Sequence, residues 1–399
     1  MKRVFKYIKI VLKIIIGFPF YYISMVIPKK KELAVIGSSL GKHFADNTKY
    51  YYINYYSKEK SSLNLIWISK NRDVVKELKL KGLPAEYLYS FKGIYITLRA
   101  SKAYLSHRLD DINSALIGGA KIIQLWHGMP LRKIGYGGDW TEHNLSGKIY
   151  ILISKYFPYA YYMKCDILIA PCETAKLKLI EPFSKSFRNN KIADNIVLAR
   201  QPRTLCFDNK FELASTFFPE VDLLKSLSKK HNKIISWLPT HRAVFNKSIL
   251  DVILDSKLDL NKLNTFCKQN NTLFVIKAHF LDFNETSKIV QSLDFIYVYP
   301  HADAYPLLKY TDILITDYSS VFFDFLFLNR PIIFMSHDLE EYREKVNFYY
   351  NYENLNIGPI CKSWNEVMKI ITDISNNQDD YLCKREEAFN NYHFEVDCI

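Results

Sequence analysis

No two of the seven cysteines stand in a CxxC spacing, and none clusters with histidine. That excludes the usual zinc and dithiol motifs, and the pattern calls for no metal or other cofactor. An odd cysteine count in a chain of 399 residues also argues against a disulfide scaffold, so free thiols in a reducing compartment are expected. The chain has no internal repeat and no low-complexity tract. It also lacks acid where it is most basic. Residues 1–31 carry Lys2, Arg3, Lys6, Lys9, Lys13, Lys29, Lys30 and Lys31 and no Asp or Glu, which is eight of the thirteen excess positive charges. A nucleic-acid binder spreads its basic residues over a face. Here they flank an apolar stretch, which points to anionic lipid and away from nucleic acid.

Long charge-free apolar runs are missing as well. The longest near the amino terminus, residues 14–27, spans about 21 Å as a helix, short of the ~30 Å hydrocarbon core. Lys6, Lys9 and Lys13 share one helical face, and Pro19 interrupts the pattern. An amphipathic segment lying in the membrane surface is therefore expected over residues 1–32. A cleaved signal peptide is the weaker alternative, because no small-residue cleavage site follows.

What the chain does have is aromatic bulk, with 29 Tyr and 26 Phe, and a regular series of short apolar runs. Strands are expected at 33–37, 64–68, 103–105, 122–126 and 167–170, then at 234–238, 273–277, 295–299, 313–316 and 332–334. Apolar character on successive residues marks strands buried on both faces, and the intervening segments have helical length. The fold class is thus α/β with two Rossmann-like domains, at 33–215 and 216–399. Facing each other, such domains would hold a ligand in a crevice beyond the carboxyl ends of their strands.

Four strand ends carry polar chemistry. WHG at 126–128 places His127 at a tight turn, where Gly128 permits close backbone approach, and a histidine there can take a proton from a hydroxyl. PTHR at 239–242 offers Thr240 and the bidentate fork of Arg242. KAHF at 277–280 sets Lys277 and His279 two apart, on one side if the strand continues. DILITDYSSVFFDF, from Asp312, brings Thr316, Asp317, Ser319 and Ser320 to a helix start, a generic anion site. Asp324 lies in an apolar run and needs a buried partner. Glu340 or Asp338, further on, has the chemistry to accept from ribose hydroxyls.

These segments, in this order, resemble the CDP-glycerol glycerophosphotransferases, the teichoic-acid and capsule polyol-phosphate primases and polymerases. The resemblance runs over about residues 35–370 and includes SLGKHFADNTKYYY (39–52), WHGMPLRKIG (126–135), DILITDYSSVFFDFLFLNRPIIF (312–334), DLEEY (338–342) and GPI (358–360). It departs at Met129, at Phe280 and in ARQPRTL (199–205), which bears on the acceptor and the polyol. The resemblance implies a glycosyltransferase-B-like fold and transfer of a polyol phosphate from CDP-glycerol or CDP-ribitol, without a metal, to a lipid-linked saccharide or growing polymer. It implies a peripheral place on the cytoplasmic face of a bacterial membrane. His127 is then the expected base and His279 the partner of the donor diphosphate. Gly128, Thr240, Arg242, Thr316, Asp317, Ser319, Ser320 and Glu340 are the expected donor-binding residues. The length favours a compact transferase over a multidomain polymerase. A nucleotide-sugar glycosyltransferase of the same fold and a non-enzymatic anionic-polymer-binding module are the alternatives.

Overall fold

The computed structural model describes residues 2–58, 63–135, 164–184, 192–209, 211, 217–242, 245, 247–278 and 282–393. The chain forms two compact units, residues 1–127 with 134–203 and 395–399, and residues 128–133 with 204–394.

The first unit is built on seven parallel strands: β1 (Lys30–Gly37), β2 (Asn64–Ser69), β3 (Ala85–Tyr87), β4 (Ala100–Leu105), β5 (Lys121–Gln124), β6 (Ile167–Ala170) and β7 (Ile196–Leu198). They lie in the order β3-β2-β1-β4-β5-β6-β7. The second unit has six: β8 (Lys233–Leu238), β9 (Thr272–Ile276), β10 (Ile296–Val298), β11 (Ile313–Thr316), β12 (Ile332–Met335) and β13 (Ile360–Cys361), in the order β10-β9-β8-β11-β12-β13. Counted within its own unit, each sheet contains 3-2-1-4-5-6, the doubly wound dinucleotide-binding order, and the first adds a seventh strand at the end. The order reverses between β1 and β4 in one sheet and between β8 and β11 in the other. Ligands of such sheets bind at that reversal, beyond the carboxyl ends of the strands.

All ten expected strands form. The three that the apolar pattern does not announce, β3, β7 and β13, are edge strands of two or three residues. In the second unit, alternate residues of the inner strands serve two cores. Ile235, Trp237, Phe274, Ile276, Ile313 and Ile315 pack with the helices Ile249–Asp255, Leu260–Gln269 and Trp364–Ser375. Ile234, Leu273 and Val275 turn the other way, towards Leu224, Tyr299 and Leu307. Each such side chain, fully buried, contributes about 1.5–3 kcal/mol.

The amino-terminal segment departs from expectation in one respect. A single helix spans Lys2–Val26 and runs through Pro19. Its carboxyl half is docked on the first unit by a narrow stripe, Gly17, Tyr21 and Ser24, spaced four and three apart. The approach is close at Gly118, where a Cβ would stand 2.3 Å from Ser24 Oγ and 2.7 Å from the Tyr21 carbonyl oxygen. From Leu12 onwards the helix leaves Leu12, Ile15, Ile16, Phe18, Phe20, Ile23 and Val26 exposed. Among the described residues no helix is long and apolar enough to cross a membrane.

Candidate functional site

In the first unit, ionisable groups gather beyond β4 and β5. Strand β5 stops at Gln124, two residues short of the expected end, because the chain is turned by side-chain hydrogen bonds. Gln124 Nε2 donates to the His107 carbonyl (3.0 Å), and Gln124 Oε1 accepts from Trp126 N–H (3.1 Å). Leu125 N–H still reaches the Leu105 carbonyl (2.8 Å). Trp126 then adopts a φ of 61° and Gly128 one of 135°, the first sterically costly for a side chain and the second suited to glycine. Asn47 Nδ2 holds the turn by donating to the Trp126 carbonyl (2.8 Å).

This reversal lays the His127 ring flat on that of His107, with centroids 4.5 Å apart and planes 12° from parallel. His127 Nδ1 is 2.9 Å from the Ser106 carbonyl oxygen. A carbonyl only accepts, so Nδ1 carries the proton and Nε2 keeps its lone pair. Burial, and then the charge on His107, lower the His127 pKa to about 4. At neutral pH it is an uncharged imidazole of defined tautomer, which is what a general base requires.

His107 is held by two carboxylates. Its Nε2 lies 3.5 Å from Asp46 Oδ2 and its Nδ1 3.8 Å from Asp111 Oδ2. Burial opposes its charge, but Asp111 and Asp46 outweigh burial and raise its pKa. Asp111 is fixed in turn by backbone N–H groups: those of Ser106 (3.1 Å) and His107 (2.7 Å) reach Oδ2, and that of Leu40 (2.8 Å) reaches Oδ1. Asp46 pairs with Arg203 Nη1 at 3.0 Å. Burial alone would raise the Asp46 pKa; Arg203, His107 and His127 together bring it below the usual value.

The second unit has its own charged centre beyond β8, β11 and β12. Arg242 is buried, and its guanidinium is shared between two acids: Nη2 lies 2.9 Å from Asp317 Oδ2, Nε 3.0 Å and Nη2 3.1 Å from the two oxygens of Asp338. Nη1 donates to the Thr240 carbonyl (3.0 Å). The guanidinium carbon sits 4.8 Å from the Tyr318 ring centroid and 5.1 Å from that of Tyr342. Those two rings stack 3.9 Å apart, and Tyr318 Oη donates to Asp338 (2.9 Å). Burial would raise the Asp338 pKa, but Arg242 overrides it and the net shift is downward. Asp317 also accepts from Thr240 N–H (2.8 Å), from the Thr240 hydroxyl and from Tyr318 N–H. Thr316 spends its hydroxyl on the Leu238 carbonyl (2.8 Å).

The expected donor-binding residues of this unit therefore divide. Arg242, Thr316 and Asp317 are buried and satisfied within the protein, while Thr240, Ser319 and Ser320 are partly accessible. The capping expected of the serines is slight: Ser319 Oγ accepts from Val321 N–H at 3.4 Å, and Ser320 makes no side-chain cap. The helix they precede, Val321–Phe325, is barely over one turn, so its dipole adds little. Asp324 has the partner its setting demands, the Tyr305 hydroxyl at 2.6 Å. Glu340 is exposed and lines a cleft of about 430 Å³ with Lys247, Ser336, His337 and Asp338. Strand β9 ends at Ile276, so Lys277 lies past the strand whose continuation the expectation required. His279 itself lies outside the described residues. Burial lowers the Lys277 pKa to about 8, against an opposing pull from Asp303.

Sequence reasoning did not single out His107, Asp111 or Tyr318. The signal for His107 was present, since it follows an expected strand by two residues, as His127 nearly does. Asp111 and Tyr318 act through geometry that no spacing announces.

Two doubly wound sheets of this order, each with ionisable groups gathered past its strand ends, place the chain in the α/β class whose ligands bind beyond the carboxyl ends of the strands. Residues 19–397 match the family described as CDP-glycerol:poly(glycerophosphate) glycerophosphotransferase. The chain belongs to that family, and is an enzyme transferring a polyol phosphate from a CDP-alditol. It is 28% identical over 368 residues to the teichoic acid poly(glycerol phosphate) polymerase of Bacillus spizizenii, covering 89% of this chain and 86% of that protein. It is 26% identical over 392 residues to the teichoic acid ribitol-phosphate primase of the same organism, covering 95% and 91%. Among solved structures it is similar to the wall teichoic acid polymerase TagF, with a TM-score of 0.73, 22% identity and coverage of 99% and 93%, a likeness of fold.

Proposed function

We propose that the protein transfers glycerol phosphate from CDP-glycerol to a hydroxyl of a lipid-linked saccharide or growing polymer, in the synthesis of a teichoic-acid-like polymer. The acceptor oxygen attacks the phosphorus that bears the polyol. The bond from that phosphorus to the bridging oxygen breaks, CMP leaves, and the acceptor proton passes to His127 Nε2. The observation that carries this reading is the state of His127: neutral, with Nδ1 committed to the Ser106 carbonyl and a lone pair free on Nε2. Such a base contributes roughly 10²–10⁴ in rate.

In the second unit the donor is held by Thr240, Ser319 and Ser320 at the diphosphate, with His279 as the residue the family pattern assigns there. The nucleoside end occupies the cleft lined by Asp338 and Glu340, both able to accept from ribose hydroxyls. Arg242, Thr316 and Asp317 serve by fixing this surface. Gly128 gives the chain close to the base the conformation it needs. The two units together are of glycosyltransferase-B type. The helix Lys2–Val26 lies on the cytoplasmic membrane surface, supported by its exposed apolar side chains and by the basic residues within and after it.

The test is mass-detected transfer with CDP-glycerol and CDP-ribitol, measuring CMP release with and without a lipid-linked acceptor. CMP release that depends on acceptor and falls at least a hundredfold in His127→Ala supports the reading. Undiminished turnover in that variant removes His127 as base, and no CMP from either donor removes the function.

A further inference from the structure

Nothing in the reaction as written uses His107, although the fold invests heavily in it. Its ring is the one stacked on His127, at 4.5 Å and 12°. Its two nitrogens face opposite carboxylates, Asp46 and Asp111, at 3.5 and 3.8 Å. The Asp111 carboxylate takes three backbone N–H groups in succession, from Ser106, His107 and Arg108. The same Ser106 supplies the carbonyl that fixes the His127 tautomer. One short segment, 106–111, thus sets both the plane and the proton position of the base.

We propose that His107 is a positioning residue for polyol-phosphate transfer: clamped between Asp46 and Asp111, its ring lies flat on His127, fixes the plane of that ring and repels a second proton from it. The charged groups around the pair are Asp46 at the start of the helix Asp46–Ser57, Asp111 after β4, and Arg203 beyond β7. Asp46 attracts a proton to His127, whereas Arg203 and His107 repel it, and His107 is the largest of these charge effects. Since the His107 pKa is raised and that of His127 is lowered, His107 is the protonated partner throughout the range in which His127 titrates. A neutral base therefore persists into acid, where a free imidazole would be spent.

This proposal rests on His127 as base only for its meaning in catalysis; the interaction itself is measurable in the free protein. Histidine-selective ¹⁵N labelling of the full chain, with the His127 signal assigned by His127→Gln, gives the His127 titration without substrate. The expected midpoint is about 4 in the wild type. In His107→Gln it rises by about one pH unit or more, a tenfold change in the protonation equilibrium. His107→Arg, a flat cation that can meet both carboxylates, brings it back down. His107→Phe keeps a stacked ring without charge and repeats the rise if the glutamine variant does not fold. The acid limb of kcat/KM for CMP release from CDP-glycerol moves with the midpoint, while KM for the donor stays put. A His127 midpoint unmoved in both neutral variants overturns the proposal. A moved midpoint with no CMP release in any form leaves the interaction standing and removes the transfer reaction instead.

Discussion

Removing the Arg242 side chain, as in Arg242→Met, strands one buried carboxylate, Asp317, and one partly buried, Asp338. Asp317 is 2% exposed and pairs with this guanidinium, whereas Asp338 is partly open to the cleft and also has His337 Nδ1 3.9 Å away. Breaking a buried pair from one side costs about 3–5 kcal/mol, because the remaining charge stays desolvated. Two acids share the loss, but Asp317 keeps its bonds from Thr240 and Tyr318, and Asp338 keeps the Tyr318 hydroxyl, so the same range is expected rather than double. Against a whole-domain stability of about 5–15 kcal/mol, that is a large fraction. A single unfolding midpoint would blend two units, so the assay is hydrogen exchange by mass spectrometry on peptides spanning 233–238 and 313–316. Their protection should fall by roughly 10²–10³·⁵, while peptides spanning 64–69 and 100–105 in the first unit serve as the internal reference. Protection of the β8 and β11 peptides within about a factor of five of wild type, less than 1 kcal/mol, would refute the reasoning: the carboxylates would not then depend on the arginine.

Four further outcomes follow from the same geometry. Asp46 has a lowered folded pKa, so its stabilisation is present above about pH 4 and lost as pH falls through the folded value; acid unfolding followed by circular dichroism should be less steep in Asp46→Asn. Tyr305→Phe removes the hydroxyl that Asp324 accepts from and should cost about 1–3 kcal/mol in urea melts, with turnover per folded molecule retained. Gly118→Ala places a methyl against Ser24 and the Tyr21 carbonyl, so limited proteolysis should cut earlier between residues 12 and 30 with the sheet intact. Gln124→Ala frees Trp126 N–H and the His107 carbonyl together, and should lower kcat more than it raises KM for the donor.

The inner strands were legible because burial on both faces leaves an unbroken apolar run, as in Leu33–Ile36 and Ile313–Ile315. The edges β3, β7 and β13 were not, since two or three residues with one neighbour need no such run. Pro19 misled because a proline's cost is local, and the buried stripe of Gly17, Tyr21 and Ser24 on the same helix is recognisable only against the surface it meets. At the site, residue type and order located His127 and the Asp317 region. They gave no sign that Arg242, Thr316 and Asp317 commit their polar groups within the protein. Arg242 reads as a free phosphate fork until Asp338, 96 positions away, is found holding it. His107 carries no motif; what identifies it is the parallel geometry of two adjacent strand ends.

The turn after β5 has a consequence for chain length. Lys102 to Leu105 pair in register with Lys121 to Gln124, and Gln124 then bonds both to the segment behind it and to Trp126 ahead. Trp126 sits in a left-handed conformation that a backbone shift would transfer to a different side chain. A strand displaced by one residue turns every side chain to its other face, and here it would also exchange His127 for a tryptophan or a glycine. Between Lys121 and Gly128 the protein is thus intolerant of a single insertion or deletion, so length variation in functional relatives must be absorbed elsewhere, most readily in loops that enter none of these bonds.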